Sequence, residues 1–200
     1  MRERLLSKHS LAVLILLSLL TPPLARADTS IPPSNNSAVA NGGDADAKAQ
    51  TLVNAAINMT NSAQAVKLLW QATNIDPTLQ EAYLYLGLFY QSRSDFGNMV
   101  KVYQKLIKYE PKSVSAYLNI GEAYMSFSPP KFDQALPYYR KAFELDPTNS
   151  FAALRIGEIY AQQGDRNNAL RYLKTASADS VKNPSVASEA DKVIRQLGAL

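Results

Sequence analysis

The residues of this chain that could do chemistry are few. Glu122 and Glu158 sit in matching local phrases, G-E-A-Y and G-E-I-Y. Two carboxylates can act as the acid and base of a hydrolysis, as in glycosidases. A carboxylate-dependent hydrolase is therefore the enzymatic alternative, and solvated helix charges are the simpler reading of both residues. Other chemistry is closed off. The sequence has no Cys and one His, His9. Beyond residue 27 there is neither, which rules out Cys–His and Ser–His–Asp catalysis and ordinary zinc sites in that part of the chain. No cofactor motif is present, and the expectation is no cofactor and no metal.

The phrases carrying those glutamates recur because the chain recurs. Tyr83 opens Y-L-Y-L-G-L-F-Y, Tyr117 opens Y-L-N-I-G-E-A-Y, and Ala153 opens A-L-R-I-G-E-I-Y. In each, a branched aliphatic residue three places on is followed by Gly, with Tyr three residues later. Asp76-Pro77, Glu110-Pro111 and Asp146-Pro147 punctuate the series at spacings of 34 and 36 residues. Such a period signals stacked supersecondary units rather than one globular core. The aromatic, aliphatic, Gly and Tyr fall at i, i+3, i+4 and i+7, one apolar face of a helix. The Gly predicts a close approach by a neighbouring backbone. Each Pro marks the end of a second helix. Asn61, Asp95 and Asp165 stand where that second helix begins and are good N-caps. The third copy has Ser128-Pro129-Pro130-Lys131 there instead, a longer turn that accounts for the 36-residue spacing.

On these residues the chain resembles the tetratricopeptide repeat, with its pattern W-x2-L-G-x2-Y…A-x3-F…P. The second copy gives Tyr83, Leu86, Gly87, Tyr90, Met99, Tyr103, Leu106 and Pro111. The third gives Tyr117, Ile120, Gly121, Tyr124, Ala135, Tyr139, Ala142 and Pro147. The fourth gives Ala153, Ile156, Gly157, Tyr160, Ala169, Leu173 and Ala176, and Val181 replaces its closing Pro. The first keeps only Leu52, Ala65, Leu69, Ala72 and Pro77. The resemblance implies an all-α, right-handed α-solenoid of about four helix pairs, over 46–79, 80–113, 114–149 and 150–183. Residues 184–200, apolar at Val186, Ala190, Val193, Ile194 and Leu197, read as a terminal capping helix.

The N-terminus lies outside that pattern. Arg2, Arg4 and Lys8 precede an apolar run from Leu11 to Leu20, and Ala25-Arg26-Ala27 offers a small-residue cleavage site. Residues 1–27 read as a secretory signal peptide, with cleavage after Ala27. The run is short of the roughly 20 residues that span a bilayer, so no integral membrane span is expected after cleavage. Residues 28–45, rich in Pro, Gly, Ser and Asn, read as a disordered linker. The signal segment holds four basic residues and one acidic. Taking these from 21 and 17 leaves 17 and 16, a net charge of +1. The basic balance belongs to the signal and gives no support to nucleic-acid binding. The expected compartment is secreted or periplasmic.

Function should then lie on the inner wall. By resemblance it is lined by helix-A residues that do not hold the repeat together. These include Tyr85 and Leu88 in the second repeat, Asn119 and Glu122 in the third, and Arg155 and Glu158 in the fourth. Relatives that grip a C-terminal carboxylate use Lys, Arg and Asn in these places. Here only Asn119 and Arg155 are of that kind, and Glu122 and Glu158 oppose an anion. The expectation is a non-catalytic scaffold binding a peptide or protein partner in a mixed apolar and polar groove. In a Gram-negative source the resemblance implies envelope, pilus or secretion assembly. Self-association is the alternative. Tyr85 and Arg155 are expected to have no packing duty, and the tyrosines at 85, 109, 138 and 172 fall off the apolar stripe.

Overall fold

In a computed structural model of the chain, residues 42–60 and 62–198 are described. The proposed signal segment, most of the proposed linker and the Asn61 cap lie outside the described residues. The described residues belong to one compact unit. The described residues form nine helices: α1 (Gly42–Ile57), α2 (Ser62–Ile75), α3 (Gln80–Ser92), α4 (Phe96–Tyr109), α5 (Val114–Met125), α6 (Phe132–Leu145), α7 (Ser150–Gln162), α8 (Arg166–Ser177) and α9 (Pro184–Gly198). The odd-numbered helices through α7 are the A helices of four pairs, and the even-numbered ones are the B helices. The fold is the all-α solenoid with a capping helix that the repeat pattern implied. The first helix begins at Gly42, so residues 42–45, expected in the linker, are helical. Asp44 in its first turn favours that start through the helix dipole.

Each helix packs against its neighbours in sequence, and α9 returns to cover both α7 and α8. The side-chain hydrogen bonds follow the same rule. Among the described residues, those joining different repeats span 30 to 34 positions: Gln50–Glu81, Arg93–Ser62, Lys105–Asn74, Gln104–Tyr138, Arg155–Glu122 and Gln163–Asp133. Bonds of one repeat length are what a quasi-one-dimensional stack produces.

Within a repeat, the consensus glycines mark where helix B meets helix A. A Cβ built on Gly121 would lie 2.6 Å from the Tyr139 ring, and one on Gly157 would lie 2.7 Å from Leu173 Cγ. On Gly87 it would fall inside the Tyr103 phenol. The close approach is real but differs from the expectation: a side chain of helix B, chiefly, fills the space rather than a backbone. Tyr139 and Leu173 are fully buried there. The first aromatic of the phrase has a second duty. Tyr83 Oη donates to the Pro77 carbonyl at 3.0 Å and Tyr117 Oη to the Pro111 carbonyl at 3.2 Å. Each ties helix A to the turn that precedes it.

The turns are capped as the sequence suggests. Asp95 and Asp165 accept from the backbone N–H groups of Asn98 and Asn168, each at 3.1 Å. Their own N–H groups donate to the Tyr90 and Tyr160 carbonyls at 2.9 Å. In the third repeat Lys131 stands in that place. Its N–H still reaches the Tyr124 carbonyl at 3.0 Å, so the inserted residues bulge out while the turn closes in the same way. A lysine offers no acceptor, and α6 has no side-chain cap. Phe127 of the bulge folds back beside Phe96 and Tyr124, with the Lys131 ammonium 3.9 Å above its ring. Pro137, early in α6, is accommodated within the helix.

Two of the off-stripe tyrosines belong to the packing after all. Tyr172 is buried, stacked on Tyr160 and edge-on to Phe143. Tyr138 stacks on Tyr124 and accepts from Gln104 Nε2. Both lie on B helices and meet the preceding repeat as well as their own, Tyr138 through Gln104 and Tyr172 through Phe143, a contact that the stripe of a single repeat does not reveal. Trp70 packs against the first core cluster, with Lys105 of the next B helix 5.1 Å from its ring.

Candidate functional site: the wall of A helices

The six residues expected on the inner wall fall in three pairs, one on each of three A helices. Tyr85 and Leu88, a turn apart on α3, are half-buried, and Tyr85 rests against the first core cluster. Asn119 and Glu122 on α5 are buried, at 6% and 8% exposure. Arg155 and Glu158 on α7 are partly covered, with about a fifth of each side chain exposed, 23% and 20%.

The buried polar groups are tied to each other. Arg155 Nε donates to Glu122 Oε1 at 2.8 Å and Arg155 Nη2 to Glu122 Oε2 at 2.9 Å, a bidentate fork across one repeat. Arg155 Nη1 donates to Glu158 Oε2 at 3.0 Å on its own helix. From behind, Tyr139 Oη donates to Glu122 Oε1 at 2.5 Å. The Phe151 ring lies 4.9 Å from the guanidinium carbon. Gly121 makes the arrangement possible, because only Gly leaves room for the Tyr139 ring to pass α5 and reach Glu122.

Electrostatics follow from the geometry. Burial pushes the Tyr139 phenol well above its ordinary range, and Glu122 adds to the rise. Burial opposes the charge of Arg155, yet Glu122, Tyr139 and Glu158 outweigh it and raise the guanidinium further. Burial also pushes the Glu158 carboxyl upward; Glu122 and Glu189 add to this against the pull of Arg155.

This corrects two expectations. Glu122 and Glu158 are not solvated helix charges; they are the two acceptors of one guanidinium. Arg155 has a packing duty, since it joins α5 to α7. Asn119 Nδ2 donates one hydrogen to the Ser115 carbonyl at 2.8 Å. The expectation missed Tyr139 as a polar member of the group. A usable signal was present: opposite charges at 122 and 155 stand one repeat apart on successive A helices.

Beside this group an open groove of about 470 Å³ lies between α7 and α9. Glu158, Ala161 and Gln162 line one side, and Glu189, Val193, Gln196 and Leu197 the other. Met125, Pro130 and Phe132 close one end. Met125, Ala161 and Gln162 occupy helix-A positions equivalent to the expected wall. The α9 residues were read only as a cap, because Val193 and Leu197 lie on the same apolar stripe as Val186 and Ala190 and also pack against the last core cluster. Among the described residues no cluster of three or more metal-ligating side chains exists, and no helix is long and apolar enough to cross a membrane.

Comparison with known proteins agrees with the repeat register. Two profiles of the tetratricopeptide repeat match, one over residues 131–188 and one over 81–113. No curated protein matches the chain. Among solved structures, the TPR2B domain of yeast Sti1, in its pHsp70 complex, is 28% identical, with a TM-score of 0.54 over 60% of this chain and 95% of that one. TTC0263, a thermophilic TPR protein of Thermus thermophilus, is 21% identical, with a TM-score of 0.55 over 75% of this chain and 83% of that one. PcrH, in complex with the chaperone-binding region of PopD, is 20% identical, with a TM-score of 0.55 over 60% and 91%. The helices, the repeat-length bonds and both matched segments agree: this chain has the fold of a tetratricopeptide-repeat α-solenoid.

Proposed function

We propose that this chain is an exported, non-catalytic scaffold that holds a peptide or protein partner on the wall formed by its A helices, in envelope, pilus or secretion assembly. The observation that carries the reading is the groove beside α7. It is open, mixed in polarity and built on rigid helices, and the packing of the repeat consensus does not require it. Half-buried Tyr85 and Leu88 extend an apolar surface along the same wall. Two solved relatives in fold, Sti1 and PcrH, are structures of complexes, which supports binding as the use of this fold here. A groove lined by helices suits an extended or helical peptide. The carboxylate pair does not favour hydrolysis, because both carboxylates are engaged by Arg155 and one also accepts from Tyr139.

The test is a variant set on each face, measured with a partner recovered by cross-linking in the native cell. Leu88→Asp and Ala161→Trp alter the A wall without setting a new charge beside Glu158. Lys174→Ala alters an exposed residue of α8. Loss of binding in the first two variants and retention in the third supports the proposal. The reverse places the site on the B helices and defeats it.

A further inference from the structure

The groove between α7 and α9 has a charge of its own. Its titratable lining consists of two carboxylates, Glu158 and Glu189, with no cation among the lining residues. The nearby cations are already engaged. Arg155 directs three donors at Glu122 and Glu158, so that group carries two negative charges against one positive. Lys192 sits 3.2 Å from Glu189, but both side chains are about half exposed, 58% and 46%. A solvated pair of this kind is weak and exchanges readily. Between the carboxylates lie apolar surfaces: Phe132 and Met125 at the end, Val193 and Leu197 along α9, and Ala161, whose small side chain leaves the space open.

Resting on the reading of the A wall as the binding face, we propose that this groove takes a cationic peptide, with a Lys or Arg side chain paired to Glu158 and Glu189 and a neighbouring apolar side chain against Phe132, Val193 and Leu197. A ligand presenting a carboxylate would meet the same two glutamates and be repelled. Burial chiefly, with Glu122 and Glu189 adding to it, holds the Glu158 carboxyl above its ordinary range, and an arriving cation would offset the repulsion among these carboxylates.

The probe is a displayed library of random peptides selected on the full-length chain. The strongest peptide is then synthesised with its cations intact and with each replaced by Gln. The expected result is enrichment of sequences with Lys or Arg beside Leu, Ile or Phe. Affinity should drop about tenfold in Glu158→Gln and in Glu189→Lys, equivalent to about 1.4 kcal/mol. It should also weaken from low to high salt and stay constant in Lys174→Ala. Glu189→Lys leaves the Arg155 group intact, so it reads the groove even if Glu158→Gln perturbs the fold. Enrichment of acidic or carboxylate-terminated peptides overturns the proposal, as does unchanged affinity in both glutamate variants. If binding then fails in Leu88→Asp, the A wall survives as the site and only the cationic ligand is refuted. If no sequence is enriched, or only Lys174→Ala abolishes binding, both the wall and the cationic ligand are refuted.

Discussion

At the scale of single residues, the same position can serve packing and polarity together. Gly121 exists for Tyr139, and Tyr139 reaches Glu122 through the gap. Gly121→Leu should therefore destabilise the fold by more than about 2 kcal/mol through overpacking, although helix propensity alone favours Leu by close to 1 kcal/mol. Urea melts decide between these opposite signs, and an unchanged or raised midpoint would mean that the glycine is not at a contact. Arg155→Ala should also destabilise, by more than about 1 kcal/mol. That is less than the 3–5 kcal/mol of a fully buried pair, since part of the group meets water. Lys141→Ala, which breaks only an exposed i,i+3 pair with Glu144, should fall within about 0.5 kcal/mol of the parent. The two melts together show whether Arg155 holds the repeats or only decorates them. The tyrosines set a pH limit. Burial raises Tyr83 to about 12 and raises Tyr103 as well. An unfolded tyrosine ionises near 10, so above that pH the unfolded state holds fewer protons than the folded one. Stability is then complete below about pH 10 and is lost as pH rises toward the folded values. The urea midpoint should fall steeply above pH 10 in the parent and less steeply in Tyr103→Phe; parallel slopes would show that Tyr103 is not a buried phenol.

Among elements, the helix starts are where the sequence was most legible. Asp95 and Asp165 cap α4 and α8, as their type and position suggested, and Asp95→Ala should cost about 1 kcal/mol in a thermal melt. Lys131→Ala should lose no cap, because α6 has none to lose; an equal cost for both changes would contradict the cap assignments. The helices, their order and the terminal cap were also readable, since a 3.6-residue period and a 34-residue period leave little freedom. The polar bridge from α5 to α7 was not read in advance. Stripe analysis sorts residues within one helix, whereas Arg155 and Glu122 meet only after two repeats have stacked. Tyr138 and Tyr172 were misplaced for a related reason: besides a ring of its own repeat, each meets the preceding repeat, through Gln104 and Phe143 respectively. The α9 wall of the groove was hidden by its own success as a cap, because Val193 and Leu197 were already accounted for in the capping stripe with Val186 and Ala190, and they do pack there.

At the scale of the whole molecule, repeat-length bonds on both faces make the solenoid a stack of mutually dependent pairs. The end at α7 and α9 carries an open, acidic and apolar groove, while the consensus residues are consumed in holding the stack together. Export is a separate claim about the first 27 residues. The protein recovered from its native cell should begin at Asp28, and intact-mass measurement checks this; recovery of the full 200 residues in a membrane pellet would refute cleavage. The claim on which the rest depends is that a partner sits against the A wall. A photo-cross-linking residue placed at Ala161, and separately at Lys174, tests it most directly in the native cell. The account predicts a discrete protein adduct from position 161, of a mass other than twice the chain, and none from position 174. An adduct confined to position 174 would contradict it.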